Sequence, residues 1–122
     1  MHPFFQDYSF YGFVHRGGDE VETENTLEAF KYSSDLGFVY IETDVQLSAD
    51  GIPYIFHDDN LLRLLGRETL FNSLNSSEID NLRLFDSYQI PKLKAALDKF
   101  PEALFQIDVK TDEVAMPALK VI

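Results

Sequence analysis

The sequence predicts an α/β fold in which parallel strands are covered by helices. Two observations carry that prediction. Short apolar or alternating segments with strand character are interleaved along the chain with segments of helical period. Four of those strands also end in charged or ionisable groups: His15-Arg16, Glu42 with Asp44, His57, and Asp108 with Lys110. No internal repeat, low-complexity tract or linker interrupts residues 1–122, so the chain reads as one domain.

Tyr11-Gly12-Phe13-Val14 is a short aromatic and β-branched run that enters a loop at His15-Arg16-Gly17-Gly18. The loop stays acidic and polar as far as Glu24. Asn25 followed by Glu28 suggests a capped helix start, with the helix passing through Leu27, Phe30 and Ser34 and stopping at Gly37. Phe38 to Leu47 has the period of a strand. Asp50-Gly51 marks a turn, and Ile52 to His57 is the returning strand, so this one pair is antiparallel. Asp58 to Ser77 reads as polar and irregular, apart from a leucine-rich patch at Leu61, Leu62, Leu64 and Leu65. Ser77 is the expected cap of a short helix at Glu78 to Leu84. Pro91 suits the first turn of a helix through Leu93, Ala96, Leu97 and Phe100, closed by Pro101. Leu104 to Val109 is a further strand, and Met116 to Ile122 opens another helix.

Composition narrows the partners. The formal net charge is -11, which repels a nucleic-acid backbone or an anionic lipid surface. A small phosphate ester remains admissible if a metal and a few cationic side chains reverse the local field. There is no Cys, which excludes disulfides, thiolate nucleophiles and Cys-based zinc sites. Met1 to Phe13 has no basic segment and contains Asp7, so it does not read as a signal peptide. No apolar run approaches the roughly 20 residues of a membrane helix. A cytoplasmic protein without membrane insertion is the expectation.

Glu42 and Asp44 lie two apart on a strand, so both side chains leave the same face, with Cα atoms roughly 6.6 Å apart. Both carboxylates can then reach one cation. The other face carries Val39, Ile41, Val45 and Leu47, suited to packing under helices. His15-Arg16 precedes two glycines that allow close backbone approach to a ligand. Asp58-Asp59 can orient or charge His57, and Asp108 and Lys110 share a face at the last strand end. Each motif alone also fits a solvated strand end. Together they gather three carboxylates, two histidines and two cations at strand ends, where (β/α) barrels build active sites. That inventory suits metal-assisted phosphodiester hydrolysis, and oxygen ligands from acids suit Ca2+ or Mg2+ better than zinc.

The ordered run His15-Arg16-Gly17, Glu24-Asn25-Thr26-Leu27-Glu28-Ala29-Phe30, Glu42-Thr43-Asp44-Val45, Asp50-Gly51, His57-Asp58, Ile90-Pro91-Lys92-Leu93 and Asp108-Val109-Lys110 resembles the glycerophosphodiester phosphodiesterase family. The resemblance extends from about Phe13 to Lys110. It implies that residues 1–122 form the amino-terminal half of a (β/α)8 barrel, roughly its first four β/α units. It implies that Glu42, Asp44 and Asp108 hold one divalent cation, Ca2+ or Mg2+. His15 and His57 become the general acid and base, and Arg16 and Lys110 bind phosphate oxygens. The implied substrate is a small glycerophosphodiester, cleaved to an alcohol and glycerol phosphate. The implied route is attack by the substrate's own glycerol hydroxyl, followed by water opening the cyclic phosphate. Two positions depart from the family pattern: Asp108 stands where Glu is usual, one methylene shorter, and Thr23 stands where Pro is usual.

A complete barrel of this kind needs about 250 residues. The expectation for a half barrel is weak or no turnover, with open sheet edges that favour self-association or a complementary half. A sphingomyelinase D-like phospholipase is a neighbouring reading, less favoured without Cys or a secretion signal. The alternative of a different class is a non-catalytic module that binds metal or phosphate and acts through self-assembly.

Overall fold

The computed structural model describes Phe4, residues 12–18 and residues 23–122. Tyr11 of the first predicted strand, residues 19–22 of the acidic loop and most of Met1 to Phe13 lie outside the described residues.

The described elements run in order α1 (Leu27–Asp35), β1 (Tyr40–Leu47), β2 (Pro53–Ile55), β3 (Asn60–Leu61), α2 (Leu62–Leu65), β4 (Arg67–Leu70), α3 (Ser76–Asp80), β5 (Arg83–Leu84), β6 (Tyr88–Gln89), α4 (Leu93–Lys99), β7 (Leu104–Val109) and α5 (Asp112–Val121). A short 3-10 turn at His15–Gly17 precedes them.

The alternating segment at residues 38–47 forms the strand on which everything else is hung. β1 is the middle of a three-stranded sheet ordered β2-β1-β7. It pairs with β7 in parallel from Tyr40↔Leu104 to Val45↔Val109, which sets Asp44 directly beside Asp108. On its other edge Val14 makes a parallel bridge to Ile41, with Val14 N donating to Tyr40 O and Glu42 N donating to Val14 O. Next to that bridge β2 pairs antiparallel, Val45↔Ile55 to Leu47↔Pro53, through the expected turn at Asp50-Gly51. Three of the four predicted strand ends therefore belong to parallel segments. The fourth, at His57, reaches the same neighbourhood by turning back along β1.

Side-chain parity divides the core in two. Ile41 and Val45 of β1 and Ile55 of β2 meet Phe30, Leu93, Ala96, Val114 and Ala118 of α1, α4 and α5. Tyr54 and Phe56 flank Ile55 and point the other way, joining Phe71, Leu74, Ile79, Leu84 and Ile90 in a second cluster. β2 is the wall shared by both.

Several element boundaries differ from the sequence expectation. Thr26, not Asn25, caps α1 by accepting a hydrogen bond from Ala29 N, because Asn25 sits at φ 56° and turns its amide elsewhere. α3 is capped by Asn75 through a reciprocal capping box with Glu78, and so starts before Ser77. It ends at Asp80, after which the chain forms the β5–β6 hairpin where helix was expected. Residues 58–77 are more ordered than expected, with β3 and β4 paired antiparallel around α2. Lys92 is the N-cap of α4, while Pro91 O accepts from Ile55 N, so Pro91 ties the helix to β2. α5 starts at Asp112, and Pro117 lies inside it. The buried pair Val114 and Ala118, one turn apart, anchors the turn that Pro117 weakens.

Candidate active site

The parallel pairing of β1 with β7 assembles the acids. Glu42 and Asp44 leave β1 on the face opposite Ile41 and Val45, and Asp108 stands beside Asp44 on β7. One carboxylate oxygen from each of Glu42, Asp44 and Asp108 lies within 4.8 Å of the others. Their surroundings differ. Asp44 is fully buried, Glu42 is largely covered and Asp108 is half exposed. Three oxygen donors at this spacing would suit a hard divalent cation.

Lys110 closes that group. Its Nζ lies 2.8 Å from Asp44 Oδ1 and 2.6 Å from Asp108 Oδ2. Burial alone would lower the Lys110 pKa, but the hydrogen bonds and charges of Asp108 and Asp44 prevail and raise it. The ammonium thus offsets carboxylate repulsion that would otherwise oppose the cluster.

Arg16 holds the opposite side. Its backbone N donates to Glu42 Oε2 at 2.8 Å, its Nη1 donates to both oxygens of Glu24 at 3.2 Å, and its Nη2 lies 2.8 Å from His57 Nε2. Arg16 Nε is buried with no acceptor among the described residues. The residue takes φ 51°, a left-handed conformation uncommon outside Gly. Gly17 follows at φ 71°, and a Cβ there would clash with the Phe30 ring, so the turn requires glycine.

The bonds around His57 fix its tautomer. A guanidinium only donates, so His57 Nε2 accepts from Arg16. The proton therefore sits on Nδ1, which donates to Asp58 Oδ1 at 2.7 Å. Gln46 Nε2 secures the segment from below by donating to the carbonyls of His57 and Asp58. His15 is more open: its side chain is 74% exposed, and its Nε2 lies 3.9 Å from Glu42 Oε2.

Beside these, a groove of about 420 Å³ is lined by Gln46, His57, Asp58, Asp59, Asn60, Lys110 and Thr111. The structure thus brings the sequence-predicted Glu42, Asp44 and Asp108 within 4.8 Å of one another, bonds Lys110 to Asp44 and Asp108, links Arg16 to Glu42 and His57, and sets His15 3.9 Å from Glu42. Sequence reasoning missed three contributors. Asn25 donates from Nδ2 to Asp44 Oδ2 at 3.0 Å and accepts from Thr43 Oγ1 at 2.7 Å. Gln46 shares the Glu42 and Asp44 parity, which was the available signal. Arg63 sits in a leucine-rich patch that reads as packing, yet it donates to Glu24 at 2.8 and 3.0 Å and to Asp58 at 2.9 Å. Its hydrogen bonds, with help from His57 and against burial, hold the Asp58 carboxyl at about 2. Burial would raise the Glu24 carboxyl, but Arg63 and Arg16 together bring it below its usual value.

Comparison with known proteins places this arrangement. The sequence profile of the Glycerophosphoryl diester phosphodiesterase family matches residues 15–119. The "Probable glycerophosphodiester phosphodiesterase 2" of Mycobacterium tuberculosis is 33% identical over 98 residues, covering 80% of this chain and 37% of that protein. A glycerophosphodiester phosphodiesterase from Thermotoga maritima superposes with a TM-score of 0.83 at 31% identity, covering 93% of this chain and 50% of that one. A phosphodiesterase from Oleispira antarctica, solved with the product sn-glycerol-3-phosphate, gives 0.84 at 27% identity, covering 92% and 51%. The chain spans between about a third and a half of the length of these relatives.

Proposed function

The chain belongs to the glycerophosphoryl diester phosphodiesterase family, and from that membership we propose that its site serves hydrolysis of small glycerophosphodiesters to an alcohol and glycerol phosphate. On this reading residues 1–122 supply the amino-terminal half of a (β/α)8 barrel and the residues of its catalytic rim. The observation that carries it is the meeting of Glu42, Asp44 and Asp108 within 4.8 Å, flanked by Arg16 and an imidazole with a fixed tautomer.

Glu42, Asp44 and Asp108 would hold one Ca2+ or Mg2+. When bound, such an ion supplies neutralising charge to phosphate oxygens and to a developing oxyanion. Arg16 faces the same region and offers guanidinium donors to phosphate oxygens. Lys110 adds a second cation beside the groove. His57, with its proton on Nδ1, presents Nε2 as the acceptor for a hydroxyl proton once Arg16 Nη2 turns from it to a phosphate oxygen. His15, open to solvent, is the partner that returns a proton to the leaving alkoxide. The two exchange roles when water opens the cyclic phosphate implied by the family resemblance.

The test is alcohol release from glycerophosphocholine by the chain with Ca2+ or Mg2+, beside the His15→Ala and Glu42→Ala variants. Loss of at least about 100-fold in both variants is expected. The same carboxylates and cations also suit a second reading, a non-catalytic module that binds metal or phosphate. Cation binding without turnover would select it over the enzyme.

A further inference from the structure

Five side chains, His57 among them, form a closed circuit. His57 Nδ1 meets Asp58 Oδ1 at 2.7 Å. Asp58 is gripped by Arg63, from Nε to Oδ2 and from Nη2 to Oδ1, both at 2.9 Å. The same guanidinium reaches Glu24, from Nη1 to Oε1 at 2.8 Å and from Nη2 to Oε2 at 3.0 Å. Glu24 accepts from Arg16 Nη1, and Arg16 Nη2 returns to His57 Nε2 at 2.8 Å.

We propose that Arg63 is a positioning residue for the phosphodiesterase site, closing this ring from outside the lining of the groove and so fixing the orientation of His57 and Arg16 together. The proposal deepens the functional reading above and rests on it for the roles of those two residues. Three features support it. Arg63 lies on the four-residue helix α2 with its side chain 44% exposed, so packing does not explain its placement. Its flat fork satisfies two carboxylates at once, which a single ammonium cannot reproduce in that geometry. The ring also balances its charges: two guanidinium groups face two carboxylates, and the imidazole between them stays neutral in the tautomer its bonds impose. Without Arg63, Asp58 keeps only His57, and the Glu24 side chain, 9% exposed, keeps only Arg16. Both catalytic arms then gain rotational freedom at once.

The test compares the chain with its Arg63→Met and Arg63→Lys variants. The sequence has three His, so the His57 ring nitrogens can be assigned by 15N NMR with a His57→Gln control. The expected result is a single Nδ1-protonated tautomer in the unsubstituted chain and shifts averaged between tautomers in Arg63→Met. Arg63→Lys should fall between them, and it carries the comparison if Arg63→Met does not fold. For glycerophosphocholine, kcat should fall about 10- to 100-fold in Arg63→Met, with KM changed less than about threefold. Unchanged His57 shifts in both variants would overturn the proposal, as would an unchanged kcat. Absence of turnover in the unsubstituted chain would count against the proposed activity, and the NMR comparison would still decide whether Arg63 orients His57.

Discussion

Arg16 and Asn25 both adopt left-handed backbone angles, φ 51° and 56°, and they are locked to each other by Asn25 N donating to Arg16 O at 2.8 Å. Such conformations cost on the order of 1–3 kcal/mol each and persist where surrounding contacts over-determine them. Here the return is positional: one residue aims a guanidinium at His57, and the other aims an amide at Asp44. Asp58 provides a test at the same scale. Its folded pKa of about 2 lies below its ordinary value of 3.8, so its ionised form stabilises the fold fully above about pH 4. That contribution is lost as pH falls from about 4 toward 2. In urea melts, the stability difference between the chain and Asp58→Asn should shrink over that window. A difference that holds constant or widens on acidification would contradict the pairing.

Each element works by making a small number of residues share a face. The ladder between β1 and β7 was legible as two strands from their alternation, and the Asp50-Gly51 turn correctly implied one antiparallel partner. The pairing of Asp44 with Asp108 was not legible, because register between strands about 60 residues apart depends on packing that no local pattern encodes. The same holds for α2 and its neighbours: four leucines concealed Arg63, whose partners Glu24 and Asp58 are brought to it by chain reversal. Asn25 misled in an informative way, since its side chain suits an N-cap but is taken by Thr43 and Asp44. Thr26 caps α1 and also donates to Thr23 O at 2.7 Å. Thr26→Ala should therefore cost about 1–2 kcal/mol in chemical denaturation. A loss below about 0.3 kcal/mol would mean the cap is not what starts α1.

At the scale of the molecule, two apolar clusters meet at β2, and the site rests above the sheet that joins them. Among the described residues no helix is long and apolar enough to cross a membrane. The relatives named above are roughly two to three times longer than the aligned span. The acids meet within the described residues, because β1 pairs with β7 from Tyr40↔Leu104 to Val45↔Val109. Cation binding can therefore be examined in this chain directly. Isothermal titration with Ca2+ and Mg2+ in about 150 mM KCl, which screens the diffuse attraction of a chain of net charge -11, tests the three-carboxylate cage most directly. One saturable site per chain is expected, weakened at least about tenfold by Glu42→Gln and again by Asp44→Asn. Binding that is absent in the unsubstituted chain, or equally strong in both variants, would contradict the cage.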